Sequence, residues 1–317
     1  MKKALSLLCL AALLLVSSVS ALAQIVDDAG RVTLQLGLLI DGSGSISASD
    51  FQTVREALAD ALSDSNIFPR NGSVELTVVQ FSDSRARTEV SPTVITTSSI
   101  NDVINRLRNM TQGGGGTPLW LGIDRISDLM RGSSQFSVAD RQIINVATDG
   151  QPRVPVDGID EAEGRQLSTE AVNRAVSNGI DEIDAEGFGQ ATSDSGFRNF
   201  LLNDLVFPQP GVEVSNFSNF NAGQNGFVVF ASTTANFQQI VENKFTAIFD
   251  SVGIVSGDDG RDDDGDDRRD DDPDTAPGPG GRPVPFDTPM GAMLLTVTLG
   301  LLLVVLRFRD NFSAVRK

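Results

Sequence analysis

The sequence predicts an α/β fold, a doubly wound, mostly parallel sheet with helices on both faces. Three observations carry this expectation. Apolar runs of strand length alternate with stretches whose apolar residues recur at helical spacing, five or six times along the chain. The strand-like runs are nearly continuous in hydrophobicity, as strands buried on both faces are. Strand–helix repetition of this kind closes most simply as parallel strands joined by right-handed crossovers.

The elements follow in order. Val32 to Ile40, VTLQLGLLI, reads as a buried strand. Ser49 and Gln52 form a capping box for a helix that places Phe51, Val54, Leu58, Ala61 and Leu62 on one face. Val74 to Phe81 is a second strand, and Ser99 with Asp102 opens a helix carrying Ile100, Val103, Ile104 and Leu107. Leu119 to Met130 is a third helix, and Gln142 to Ala147 a third strand. Ser168 starts a helix that Gly179 ends. Ile183 to Phe188 is a weaker strand interrupted by charge, Arg198 to Val206 a helix, and Gly226 to Phe230 a strand. Thr234 opens a last helix with Phe237, Ile240, Val241, Phe245 and Ile248 on one side.

Composition narrows the chemistry. The chain has no His and no Tyr, and its one cysteine, Cys9, lies in an apolar N-terminal run. A Ser-His-Asp or Cys-His nucleophile needs an imidazole. A zinc site normally draws on His or Cys. What remains for a metal is oxygen, from Asp, Glu, Ser, Thr and backbone carbonyls, and oxygen suits hard cations such as Mg²⁺, Mn²⁺ or Ca²⁺. The formal charge of −17 argues against a nucleic-acid partner. Between Gly257 and Asp274 eleven Asp stand against three Arg, a net of −8, so nearly half the acidity sits in one short segment.

Both ends carry addresses. Lys2 and Lys3, the apolar run Ala4 to Val16 and Ala21-Leu22-Ala23 match a secretory signal peptide, residues 1–23, cleaved to leave Gln24 first. Met290 to Leu306 is uncharged, and Arg307, Arg309, Arg316 and Lys317 follow it. By the positive-inside rule the tail is cytoplasmic and everything before the helix lies outside. The expected division is therefore a globular domain at 32–253, an acidic, Pro-rich linker at 254–287, a membrane or sorting-signal helix at 288–306 and a basic tail at 307–317. The layout from Val284-Pro285-Phe286-Asp287-Thr288-Pro289 onward loosely resembles the VPEP and IPTL sorting signals of exosortase-like systems, without the glutamate of one or the Leu-Ser of the other. A plain membrane anchor and a processed sorting signal both stand as readings. Either way the protein is exported to the cell envelope or surface, and is then anchored by this helix or released.

In parallel α/β sheets ligands sit beyond the carboxyl ends of the strands. Asp41-Gly42-Ser43-Gly44-Ser45 follows the first strand, and Thr148-Asp149-Gly150 follows the strand Gln142 to Ala147. Between them, Gly113 to Gly116 and Thr117 precede the helix at Leu119. Alternation puts Asp41, Ser43 and Ser45 on one side of a loop whose glycines let it curl tightly.

These pieces, D-x-S-x-S, a Thr after glycines and a strand-terminal Asp, resemble the metal-ion-dependent adhesion site of von Willebrand factor A-type (vWA) domains. The resemblance covers roughly Leu34 to Gly253. It implies direct coordination by Ser43, Ser45 and Thr117, and contact through water for Asp41 and Asp149. Mostly neutral donors leave the cation electrophilic, ready to take a partner's carboxylate. Retained water and near-octahedral geometry favour Mg²⁺ or Mn²⁺, with Ca²⁺ a weaker fit. In some members of the family the threonine loop moves together with the last helix, and the four glycines before Thr117 would permit that.

Other features have two readings each. Trp120 is either a rim contact for a ligand or packing at a helix start. Asp258 to Asp274, with Asp262, Asp264 and Asp266 at calcium-loop spacing, is either a weak Ca²⁺ site or a self-repelling spacer, and it lacks the closing Glu of an EF-hand. The glycine run lacks the Gly-Lys-Ser/Thr ending of a phosphate loop. Asp194-Ser195-Gly196 matches an aspartic-protease triplet but has no second copy and no apolar strand before it, so it reads as a turn or helix cap. The expected function is cation-dependent binding of an extracellular or envelope protein, or of matrix, through an acidic group. The alternative is a scaffold subunit of an envelope assembly with constant partners. Nothing points to an enzyme.

Overall fold

A computed structural model of the chain describes residues 31–215 and 226–254. The expected signal peptide, the linker beyond Ile254, the apolar helix, the basic tail and Asp262, Asp264 and Asp266 lie outside the described residues. Among the described residues no helix is long and apolar enough to cross a membrane.

The chain forms strands β1 (Leu34–Asp41), β2 (Asn71–Ser82), β3 (Arg85–Thr96), β4 (Arg141–Thr148), β5 (Glu182–Phe188), β6 (Val212–Glu213) and β7 (Phe227–Ala231). Its helices are α1 (Ala48–Ser63), α2 (Ile100–Arg108), α3 (Leu119–Gly132), α4 (Glu161–Ser177), α5 (Ser195–Phe200) and α6 (Phe237–Ser251). The strands make one seven-stranded sheet in the order β3-β2-β1-β4-β5-β7-β6. All pairs are parallel except β2 with β3. The expected α/β architecture is therefore the observed one, with one antiparallel edge.

Two apolar layers sandwich the sheet. Leu34, Leu36, Leu38 and Ile40 of β1 pack with α1, α2 and α6 on one face, where Phe68, Phe245 and Phe249 meet edge-on or stacked. Leu39, Val79, Ile144 and Val146 pack with α3, α4 and α5 on the other. Gly37 and Gly122 sit where helix and sheet touch most closely: a Cβ on Gly37 would meet Ile126 and Met130 at 2.8 Å, and one on Gly122 would meet Leu39 at 2.8 Å.

Several boundaries differ from expectation for local reasons. β3 is a twelve-residue strand that hydrophobic patterning passes over, because only Val90 and Ile95 along it are buried. α1 is capped by Ser47, whose hydroxyl accepts from the Asp50 amide at 3.1 Å, not by Ser49. α4 begins at Glu161 under an Asp160 cap, and Ser168 lies buried inside it, donating to the Gly164 carbonyl. α5 begins at Ser195 because Asp194 caps it, accepting from the Phe197 amide at 2.7 Å, and it continues as a π-turn, Leu201–Leu205. Thr234 stands in a 3₁₀ turn ahead of α6.

Candidate metal centre

The loops after β1 and β4 lie side by side because β1 pairs with β4 in register, Ile40 opposite Ala147. That register sets the two acids at the sheet's carboxyl edge. Asp41 is buried; its Oδ1 accepts from the Ser43 amide at 2.8 Å and its Oδ2 from the Thr148 hydroxyl at 2.7 Å. The hydroxyls of Ser43 and Ser45 stand 2.9 Å apart, and that of Ser45 donates to Asp149 Oδ1 at 2.7 Å. Four of the five expected residues thus form one hydrogen-bonded array. Thr117 is not bonded into it. It lies on the adjoining loop, held by backbone bonds with Arg153 at 2.7 and 3.1 Å, and shares a depression with Ser45.

The glycine loop is fitted to the first loop by backbone bonds. The Gly44 amide donates to the Gly115 carbonyl at 2.9 Å, and the Gly114 amide to the Gly42 carbonyl at 2.8 Å. Gly114 and Gly115 have φ of 74° and 70°, a region open to glycine at little cost. Side chains outside the motif complete the scaffold. Gln112 donates to the carbonyls of Ser43 and Ile46 at 2.8 and 2.9 Å, and Gln80 accepts from the Gly113 amide at 2.9 Å. The motifs do not mark Thr148, Gln112 or Gln80 as site residues. The only sequence signal for Gln80 is a polar residue near the end of an apolar strand.

The array is short of positive charge. Burial, then the charge of Asp149, push the Asp41 carboxyl up to about 7, while bonds from Ser43 and Thr148 pull the other way. Burial raises Asp149 as well, against the bond from Ser45. Among the described residues no Lys or Arg forms an ion pair with either acid. Two carboxylates and three hydroxyls around an uncompensated charge fit a hard, oxygen-preferring cation. Among the described residues there is no cluster of three or more His, Cys, Asp or Glu side chains placed to hold a metal. The donors here are mostly hydroxyls.

Two depressions flank the array. One, of about 540 Å³, is lined by Ser45, Ser47, Asp50, Asp149, Phe188 and Thr234. The other, of about 410 Å³, is lined by Thr117, Arg153, Pro155 and the exposed Val156. Trp120 lines neither; it is 7% exposed and packs into the core from the first turn of α3.

A doubly wound sheet whose first and fourth strands end in a shared cluster of acids and hydroxyls defines an α/β domain built to present a polar site at its carboxyl edge. The chain belongs to the von Willebrand factor type A domain family, whose model matches residues 36–204. The pilus adhesin SpaC from Lactobacillus rhamnosus GG, in an open conformation, is similar at 14% identity and a TM-score of 0.51, over 70% of this chain and 30% of that one. Proximal thread matrix protein 1 from the mussel byssus, with a zinc-occupied MIDAS motif, is similar at 15% identity and a TM-score of 0.45, over 68% of this chain and 48% of that one. Manganese-loaded TRAP from Plasmodium vivax is similar at 18% identity and a TM-score of 0.45, over 68% and 74%. This chain spans about half the length of the mussel protein. No curated protein matches the sequence.

Proposed function

We propose that the domain is a divalent-cation-dependent binding module, displayed outside the cytoplasmic membrane, that grips a partner through an acidic group. The observation that carries this reading is the array of Asp41, Ser43, Ser45 and Asp149, buried on one side, open on the other and lacking a basic side chain. Ser43, Ser45 and Thr117 would hold Mg²⁺ or Mn²⁺, with Asp41 and Asp149 acting through water. The bound cation supplies an electrophilic position for a carboxylate of a protein or matrix ligand. The chain's own part is to keep the donors in place: Thr148 fixes the Asp41 carboxylate, and Gln112 ties the two loops together. The signal-peptide and C-terminal patterns of the sequence support display on the outer side.

Isothermal titration of the protein with Mg²⁺ and Mn²⁺ tests the site. Binding is expected in the wild type and absent in the Ser43→Ala, Ser45→Ala double variant with its fold retained. An unchanged affinity in that variant would sink the assignment. Capture of a fixed partner that persists in EDTA would favour the scaffold role instead.

A further inference from the structure

The domain has a second polar cluster, wholly inside the protein, between α6 and the sheet. Lys244 of α6 is 0% exposed, Asn145 of β4 3% and Glu186 of β5 1%. Lys244 Nζ donates to Asn145 Oδ1 at 2.8 Å, and Asn145 Nδ2 donates to Glu186 Oε1 at 2.9 Å. Nζ stands 3.2 Å from the same Oε1. The three side chains therefore close a triangle. Glu186 Oε2 is buried and has no hydrogen-bond partner among the described residues. The Phe245 ring, 4.9 Å from Nζ, lies on one side, and Asp184 faces the lysine from the next inward position of β5.

We propose that Lys244 and Asn145 become joined by an intramolecular isopeptide bond whose formation Glu186 catalyses. The placement meets the needs of amide exchange: an amine beside a carboxamide, an acid touching both, and all three side chains buried. The proposed reaction begins with transfer of the ion-pair proton from Nζ to Glu186, which frees the Nζ lone pair. Burial favours this, holding the Lys244 ammonium below the usual lysine range against the opposing charges of Glu186 and Asp184. The Nζ lone pair attacks Asn145 Cγ, and Glu186 protonates the amide nitrogen as it leaves. The Cγ–Nδ2 bond breaks, a Cγ–Nζ bond forms, and Glu186 takes back the amine's surplus proton. The sum is amine plus carboxamide giving a secondary amide plus ammonia, with no oxidant or other reactant. The product would staple the last helix to a central strand, so that tension on the chain beyond Ser251 passes into β4 rather than peeling α6 away.

The test is a peptide map of the purified full-length protein, unfolded and digested with trypsin. The expected result is a branched peptide containing Asn145 and Lys244, lighter by one ammonia than its two arms. Lys244 should also resist an amine-acylating reagent after unfolding. An intact Asn145 peptide together with an acylated Lys244 overturns the proposal and leaves a plain buried ion pair. Glu186→Gln should fold and bind Mg²⁺ yet lack the branched peptide. The same branched yield in that variant overturns the role of Glu186. If Glu186→Gln does not fold, the wild-type map still decides.

Discussion

β4 carries a polar cluster at its end and another at its middle, and the two solve the same electrostatic problem in opposite ways. At the end, Asp41 and Asp149 face each other with hydroxyls around them and no basic side chain. In the middle, Glu186 and Asp184 face the Lys244 nitrogen, a partner supplied by the chain itself. The first cluster opens to two depressions; the second is sealed between α6 and the sheet. A buried acid must be protonated, paired or metal-bound. Under the proposed function the end cluster leaves that choice to a bound cation. The middle cluster makes the choice internally, which makes it part of the fold.

The largest expected effect comes from removing the internal partner, Lys244. Lys244→Met leaves Glu186 and Asn145 buried without their donor and should cost about 3–5 kcal/mol of stability. Urea unfolding measures it. A loss below about 1 kcal/mol would mean that water reaches the cluster, and the contrast with the end cluster would fail.

The next effect concerns the cation taken from outside. Magnesium at a hundred times its Kd should stabilise the wild type by about 2.7 kcal/mol. The Ser43→Ala, Ser45→Ala double variant should show none of this gain, while Lys244→Met, where it still folds, should keep it. Thermal unfolding with and without EDTA reads both. Equal gains in wild type and double variant would dissolve the distinction from the other side.

These two tests separate what the sequence discloses from what it hides. The end cluster is legible because its donors come in short motifs at strand ends, Asp41 to Ser45 and Thr148 to Gly150, that together resemble a known family's site. The middle cluster is not. Glu182, Asp184 and Glu186 make β5 look like a strand spoiled by charge, because their partners, Asn145, Arg141 and Lys244, come from β4 and α6. β3 escapes the hydrophobic pattern for a related reason. An edge strand with two buried residues has little hydrophobic pattern to read, and what fixes it is pairing with β2.

Acid–base behaviour gives a smaller effect and should divide the clusters again. Asp41 is raised from 3.8 to about 7 by burial and Asp149, and Asp184 is raised well above 3.8 by burial and Glu182. A carboxyl raised on folding holds its proton more tightly in the native state. Its contribution is complete below the unfolded value and is lost as pH rises through the folded one. Stability without metal should therefore fall from about pH 4 towards pH 7. Saturating Mg²⁺ should remove the Asp41 part of that slope and leave the Asp184 part. Asp41→Asn should flatten the metal-free curve in the same way, and Asp184→Asn should flatten only what Mg²⁺ does not. A slope untouched by Asp41→Asn would place the titration elsewhere.

The smallest effect marks the border of the end cluster. Ser47 and Asp50 line the depression beside Asp149, yet their bonds belong to the start of α1. The Ser47 hydroxyl caps the helix and donates to Asp50 Oδ2 at 2.6 Å, and Thr234 donates to Asp50 Oδ1 at 2.8 Å, tying in the turn before α6. These bonds hold the Asp50 carboxyl below its usual value. Ser47→Ala should cost about 1 kcal/mol, the ordinary worth of such a cap, and should leave Mg²⁺ affinity within about threefold, since 1.4 kcal/mol of coupling would be needed for tenfold. Urea unfolding and titration on the same variant give both numbers. A stability loss with affinity intact keeps the site at the strand ends. An affinity loss of tenfold or more would extend it to the start of α1 and make Asp50 a further acid of the metal centre.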